Sequence, residues 1–146
     1  MHTIGHFIGG RHVAGTSGRR GEVLPPMTGD VRAEVALASA AEVRGAVENA
    51  LVAPPAWAAT NPQRRARVMF NFKALVERNM DELAHLLSSE HGKVIADARG
   101  DIQRGLEVIE FCCGIPHVLK GAYTQGAGPG IDVYSFRQPL GIGAGM

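Results

Sequence analysis

The clearest hydrophobic pattern in the chain lies between residues 61 and 120, and it predicts a long helical hairpin. Apolar residues of the first arm recur at three- and four-residue steps, which places them on one helix face: Val68, Met69, Phe72, Leu75, Val76, Leu83, Leu86 and Leu87. Asn61-Pro62 is a typical helix start. Asn79, with Glu82 three residues later, is a second capping signal. It indicates that the first arm consists of two helices that meet near Met80.

The second arm of the hairpin begins after Gly92, a glycine well suited to the left-handed conformation that ends many helices. Its apolar positions repeat with the same spacing at Ile95, Ala98, Ile102, Leu106, Ile109 and Cys113. Gly114-Ile115-Pro116 is predicted to kink or end this helix, because proline lacks the amide hydrogen that a helix interior needs. The two arms form the scaffold of the chain.

Before residue 61 the pattern predicts short strands and one short helix. Strands are expected at residues 6–8, 11–13, 22–24 and 30–37. Gly9-Gly10 is the predicted turn of the first hairpin, residues 14–20 are a predicted loop, and residues 25–29 are a predicted rigid turn. Ser39 to Glu42 is a capping box that starts the helix. Pro54-Pro55 is expected to stop it, and Trp57 is placed in a linker with a packing role.

The C-terminal part of the chain is rich in glycine. Residues 121–130 are predicted to be loop, and residues 131–138 have the composition of a strand that is covered on both faces or pairs across a subunit boundary. Residues 139–146 are interpreted as the start of another strand. The spacing Gly141-x-Gly143-x-Gly145 leaves phosphate binding as an alternative, but a dinucleotide loop works only when a helix follows it.

Composition narrows the function classes. Fifteen basic residues balance fourteen acidic ones, so no net field favours nucleic acid or an anionic membrane. The apolar runs are shorter than the roughly 20 residues that span a bilayer. The N-terminus lacks the pattern of a signal peptide, and two adjacent cysteines make no disulfide framework. These features predict a soluble, cytoplasmic protein without nucleic-acid or membrane partners.

Arg104 is the most informative single residue for chemistry. It lies beside Gly105, where the missing side chain leaves room for a ligand, and its guanidinium could hold a carboxylate through two parallel hydrogen bonds. The alternative, which the local sequence favours, is an ordinary ion pair with Asp101 or Glu107 at helical spacing.

The remaining reactive residue types give weaker signals. Cys112-Cys113 could offer a thiolate, but the apolar neighbours Phe111 and Ile115 favour a buried helical pair. The histidines match no paired ligand pattern, so no metal site is expected. The sequence therefore predicts no catalytic, cofactor-binding or metal-binding residue in this chain.

Several segments resemble the N-terminal part of the aldehyde dehydrogenase superfamily, and most closely its CoA-acylating methylmalonate-semialdehyde dehydrogenases. The resemblance covers essentially the whole chain and is carried by Phe7 to Gly10, Pro26 to Gly29, Arg64 to Phe72, Glu90-His91-Gly92-Lys93, Gly100-Asp101, the run from Arg104 to His117, Asp132 to Ser135, and Arg137 to Gly141. The glutamate-glycine-lysine and glycine-aspartate signals occur throughout the superfamily. The run from Arg104 to His117 is specific to the semialdehyde branch.

The resemblance implies a function that composition alone does not reveal. Such enzymes oxidise malonate or methylmalonate semialdehyde with NAD, release carbon dioxide and pass the acyl group to coenzyme A. Arg104 aligns with the family arginine that binds the substrate carboxylate. The family is typically a homotetramer, and the strand at 131–138 would belong to its oligomerisation element.

The implied fold is α/β: the N-terminal part of an aldehyde dehydrogenase, with short edge strands, a long helical hairpin and an oligomerisation strand. Residues 1–120 would belong to the cofactor-binding domain, residues 121–138 to the oligomerisation element, and residues 139–146 to the first nucleotide-binding strand. Family members are several times longer, and their catalytic cysteine and glutamate would lie beyond these residues. The 146 residues alone are therefore expected to be inactive and to bind neither NAD nor CoA. The alternative is a non-enzymatic remnant or a module that associates with full-length subunits.

Overall fold

The computed structural model describes residues 2–145, in which five short strands come first, six helices follow and two strands come last. The strands are β1 His2–Ile4, β2 His6–Ile8, β3 Arg11–Val13, β4 Arg20–Val23, β5 Ala33–Ala36, β6 Tyr123–Gly128 and β7 Ile131–Tyr134. The helices are α1 Ala40–Leu51, α2 Pro54–Ala59, α3 Pro62–Arg78, α4 Met80–His91, α5 Ile95–Cys113 and α6 Ile115–Val118. The predicted α/β class is confirmed.

The predicted hairpin at residues 6–13 is confirmed. β2 and β3 pair antiparallel, with His6 opposite Val13. Gly9 and Gly10 connect them with φ angles of 60° and 76°, the positive values that a tight hairpin turn requires at both central positions.

A second small sheet has the order β1-β5-β4. β4 runs antiparallel to β5, and β1 runs parallel to it. The strands predicted at 22–24 and 30–37 are thus displaced and shortened, because β5 extends only as far as its four-residue partner β4. The sequence analysis missed β1, whose three exposed residues give no alternation signal and which is held by backbone pairing.

The capping box at the start of α1 is confirmed and also anchors a distant loop. The Ser39 hydroxyl accepts the Glu42 amide at 3.2 Å, and the Glu42 carboxylate accepts the Ser39 amide at 2.7 Å. The other Glu42 oxygen accepts the amide and the hydroxyl of Thr16 at 2.6 and 2.9 Å. The amide of Ser39, followed by that of Thr16, lowers the pKa of Glu42 to about 2.

The prediction for residues 54–59 was wrong. α1 ends at Leu51 rather than at the prolines, and Pro54 opens a further short helix, α2. Proline is well tolerated in the first turn of a helix because the amide it lacks has no partner there. Trp57 therefore lies in α2 rather than in a linker, and it is 46% exposed.

The long helical hairpin is confirmed, with α3 and α4 as its first arm and α5 as its second. Gly92 ends α4 with a φ of 76°, in the left-handed conformation predicted for it. The break near Met80 is also confirmed, but Asn79 does not cap α4. Its side-chain amide instead donates to the carbonyl of Leu75 at 2.7 Å, so it closes α3.

The apolar stripe predicted for α5 is confirmed in part: Ala98, Leu106 and Cys113 are buried, whereas Ile95, Ile102 and Ile109 are half-buried. α3 and α4 both pack against this helix. The stripe predicted for the first arm is only partly buried. Ala66 and Ala84 lie at the contact, whereas four of the predicted positions are about half exposed: Val68, Phe72, Leu75 and Leu86. The predicted set spans two sides of the helices, and α5 covers one of them.

The prediction of loop for residues 121–130 was wrong, because they contain β6. β6 pairs antiparallel with β7 and carries an irregularity between Thr124 and Gly128. The pairing needs only backbone groups, so it is compatible with the glycine-rich sequence. The predicted strand at 131–138 is present over the shorter span of β7.

None of the helices within residues 2–145 has the length and apolar character that a membrane-spanning segment needs.

The chain exposes far more surface than an ordinary monomer of its size. Its accessible area is 11,223 Å² at 15.5 kDa, against roughly 7,200 Å² expected from the scaling of folded monomers. Among the described residues no large side chain is fully buried, and four of the six buried apolar residues are alanines. The excess of roughly 4,000 Å² is comparable to the area of an obligate protein interface.

We predict that Leu106→Ala destabilises the chain by about 2–4 kcal/mol, because it removes the largest side chain in the buried stripe of α5. The control is Val108→Ala on the same helix, where the side chain is 64% exposed and the expected cost is small. Urea unfolding followed by circular dichroism measures both. Equal losses in the two variants would contradict the packing described for α5.

We also predict that Glu42→Gln weakens the acid sensitivity of the fold. The pKa of Glu42 is lower in the folded chain than its ordinary value of 4.5, so this carboxylate stabilises the fold above that value. The stabilisation is lost as the pH falls from about 4.5 towards about 2. The unfolding free energy of Glu42→Gln should therefore fall less across this range than that of the unsubstituted chain. Glu48→Gln, at an exposed position of α1, is the control, and identical pH profiles for all three proteins would refute the assignment.

Candidate functional site

Arg104 lies in the middle of α5 with its side chain 66% exposed. One terminal nitrogen, Nη2, donates to the carboxylate of Asp101, three residues earlier. A guanidinium carries five N–H donors, and among residues 2–145 Asp101 is its one hydrogen-bond partner. Most of its donor capacity therefore faces solvent.

The space around Arg104 is open on both sides. A Cβ built at Gly105 would meet no atom within 4 Å, so the room predicted beside this glycine is present. A Cβ at Gly100 would lie 3.9 Å from Arg104 Nη1, which shows that the guanidinium extends back along the helix over Gly100. The ion pair with Asp101, which the local sequence favoured, is present. The role of Arg104 in carboxylate binding stays a prediction.

Asp101 is shared between two cations. Its Oδ1 accepts from Arg104, and its Oδ2 accepts from Nζ of Lys93. Lys93 also lies 2.8 Å from the carboxylate of Asp97. Asp101 and then Asp97 raise the pKa of Lys93, while Lys93 and then Arg104 lower the pKa of Asp101. Lys93 and Asp101 are therefore both charged near neutral pH.

The loop before α5 fixes the position of Lys93. Gly92 packs against the turn at residues 25–29, since a Cβ on it would approach Cγ of Pro26 to 2.7 Å. The hydroxyl of Ser88 donates to the Lys93 carbonyl at 2.7 Å, and Arg32 pairs with Glu90 at 3.3 Å. The residues Glu90 to Lys93 carry a family signal in the sequence, but the contact between Lys93 and Asp101 was not predicted. Lys93 lies before α5 begins, so its distance from Asp101 along the sequence does not by itself predict this contact.

The cysteines lie at the C-terminal end of α5. Cys113 is buried at 7% exposure, Cys112 is half-buried, and both are free thiols. The prediction of a buried helical pair is thus confirmed for Cys113 and only partly for Cys112. Cys113 borders a groove of about 920 Å³ between α3 and α6, together with Arg67, Phe70 and Lys120.

The glycine-rich C-terminus shows neither the predicted strand nor a phosphate loop. Residues 139–145 have no regular secondary structure, and Met146 lies outside the described residues. A strand forms only beside a paired neighbour, and none of the described strands pairs with this segment. Ile142 instead borders a pocket of about 410 Å³ that Val43 and Val47 of α1 also line. Within residues 2–145, no group of three or more histidine, cysteine, aspartate or glutamate side chains could hold a metal ion.

Comparison with known proteins identifies the family of this chain. The model of the aldehyde dehydrogenase family matches residues 12–146. The malonate-semialdehyde dehydrogenase of Pseudomonas aeruginosa is 42% identical over 146 residues, which are 100% of this chain and 29% of that protein. The acylating, mitochondrial methylmalonate-semialdehyde dehydrogenase of Arabidopsis thaliana is 40% identical over 98% of this chain and 24% of its own length.

A solved structure gives the same result at the level of the fold. A protein of Sinorhizobium meliloti, assigned to the methylmalonate-semialdehyde dehydrogenases and complexed with NAD, superposes with a TM-score of 0.92 at 62% identity. The superposition covers 98% of this chain and 29% of that one. The chain thus spans less than a third of the length of the relatives that it matches. It belongs to the aldehyde dehydrogenase family.

Proposed function

We propose that this chain is the N-terminal portion of an NAD-dependent, CoA-acylating dehydrogenase of malonate or methylmalonate semialdehyde. The complete enzyme would convert semialdehyde, CoA and NAD into acyl-CoA, carbon dioxide and NADH. The observation that carries the proposal is the match over the whole chain, at 42% identity to a malonate-semialdehyde dehydrogenase. The acylating reaction is supported by the name of the Arabidopsis relative, and NAD by its presence in the Sinorhizobium complex.

The proposed role of Arg104 is to bind the carboxylate that distinguishes these substrates from simple aldehydes. Its guanidinium is permanently charged, largely exposed and engaged by Asp101 through one nitrogen. Its other N–H groups could therefore donate in parallel to both oxygens of a substrate carboxylate. Such a contact would orient the substrate. It would not strengthen the binding of a competing aldehyde that lacks a carboxylate.

Residues 139–145 do not by themselves form a pyrophosphate site. A pyrophosphate site of the expected kind needs a helix N-terminus after the glycines, whereas residues 139–145 are irregular. We therefore assign no contact with NAD or CoA to these residues. We further propose that the nucleophilic thiol and the general base belong to the rest of the enzyme, because Cys113 is buried in the packed end of α5.

We also propose that β6 and β7 serve the assembly of a homotetramer in the cytoplasm. Apart from Gly128, every residue of this hairpin is exposed, and Tyr134 stacks on Phe136 with ring centroids 6.1 Å apart. A two-stranded hairpin with exposed aromatic side chains is marginal by itself and gains stability when another strand or surface covers it. The cytoplasmic location is supported by the two unpaired cysteines.

A second candidate is a non-enzymatic chain that associates with dehydrogenase subunits. The exposed area, roughly 4,000 Å² above that of a folded monomer, favours this candidate as much as the first. One result distinguishes the two candidates. Only a true portion of the dehydrogenase must support turnover when the rest of the enzyme is covalently attached to it.

We predict that the isolated chain does not turn over malonate semialdehyde, whereas residues 1–146 joined to the remainder of the Pseudomonas enzyme do. NADH formation in the presence of NAD and CoA measures both. Turnover by the isolated chain would contradict the proposed location of the chemistry. A folded but inactive joined protein would favour the non-enzymatic candidate.

In the joined enzyme, Arg104→Gln should lower kcat/KM for malonate semialdehyde about 10- to 100-fold, the size of a lost charge-assisted contact. Propanal, which lacks the carboxylate, should be affected less than about twofold because it makes no such contact. Arg99→Gln is the control, since Arg99 lies on the same helix and pairs with Asp81. Equal losses for Arg104→Gln with both aldehydes would refute the assigned role.

A further inference from the structure

We propose that Asp101 is a positioning residue for Arg104, and that Lys93 holds Asp101 in turn. Selection of a carboxylate-bearing aldehyde would then depend on two residues that do not touch the substrate. The inference rests on the proposed function, because it concerns the same substrate site.

Lys93, Asp101 and Arg104 form a row of charged side chains, called the relay below, in which both cations bind the Asp101 carboxylate. The two oxygens of Asp101 face different cations, Oδ2 towards Lys93 and Oδ1 towards Arg104. The exposed fractions of the side chains rise along the relay, from 17% for Lys93 to 34% for Asp101 and 66% for Arg104. The relay therefore begins at Lys93, whose ammonium group is largely buried and whose position is fixed by the loop before α5. It ends at the solvent-exposed guanidinium of Arg104.

Arg104 needs such a support because its surroundings provide little else. Gly100 and Gly105 offer no side chain against which the guanidinium could pack. A long unbranched side chain loses considerable rotamer freedom when a ligand fixes it, and that loss weakens binding. A guanidinium that Asp101 already orders before the substrate arrives avoids much of this loss.

The charges of the relay explain why Lys93 belongs to it. A lone aspartate beside Arg104 would repel an incoming carboxylate and compete for the same guanidinium. Lys93 offsets part of this charge, although it also pairs with Asp97, which has no ion pair with Arg104 among the described residues. Asp101 occupies one terminal nitrogen of Arg104, which leaves other N–H groups for a two-point contact with the substrate.

The test compares two aspartates that share Lys93 in the joined enzyme. Asp101→Asn should raise KM for malonate semialdehyde about fivefold, the size expected for loss of an exposed charged contact, with kcat changed less than about twofold. Propanal kinetics should stay unchanged. The matched control, Asp97→Asn, removes a carboxylate from the same lysine without touching Arg104 and should leave both aldehydes unaffected. Asp101→Glu should restore part of the discrimination.

Each outcome decides the question. If Asp101→Asn lowers KM for malonate semialdehyde, Asp101 is a competitor of the substrate and the inference is overturned. Indistinguishable kinetics for Asp101→Asn and Asp97→Asn would overturn it as well. The Arg104→Gln variant distinguishes failure of this inference from failure of the proposed function. If Arg104→Gln loses the preference for malonate semialdehyde over propanal and Asp101→Asn keeps it, only the positioning role of Asp101 is wrong.

A spectroscopic measurement tests the relay without turnover. Nitrogen-15 spectra of the arginine side chains report how fast the terminal groups of each guanidinium rotate. Arg104 should show slowed rotation in the unsubstituted joined protein and in Asp97→Asn, and fast rotation in Asp101→Asn. Fast rotation of Arg104 in all three proteins would show that Asp101 does not hold it.

Discussion

The burial of one face of α5 against α3 and α4 determines which side chains of α5 face solvent. Ala98 and Leu106 face the neighbouring helices, so the residues between them on the opposite side of α5 face solvent. Arg104 is one of these, and it is exposed because the apolar stripe is buried. The loop that enters α5 packs on the turn around Pro26, which places Lys93 beside Asp101. Packing and site geometry thus have one origin.

The same packing leaves the chain incomplete as an energetic unit. Alanines dominate its buried contacts, and such small side chains remove little apolar surface from water. Large side chains such as Phe72 on α3 and Val47 on α1 remain 48% and 42% exposed. Val43 and Val47 of α1 line an open pocket of about 410 Å³ together with Ile142, so this helix face is not filled by the described residues. The proposed function accounts for this exposure, because the rest of a dehydrogenase would cover these faces.

Elements with local causes could be predicted from the sequence. The capping box at Ser39 and the left-handed Gly92 depend on neighbouring residues alone, and both are present. β1 and β6 depend on pairing with distant strands, and local composition could not reveal them. At the site, the pair between Arg104 and Asp101 follows from helical spacing. The contact with Lys93 depends on how the preceding loop packs, which no periodicity encodes.

Sedimentation velocity of the isolated chain, alone and mixed with the separately produced remainder of the Pseudomonas enzyme, tests this account most directly. The account predicts that the two polypeptides sediment together in equal numbers, because the exposed faces of α1 and α3 fit surfaces of that remainder. A monomeric chain that melts sharply on its own and sediments apart from the remainder would contradict it. Such a result would mean that these 146 residues form a self-sufficient fold despite their exposed apolar surface.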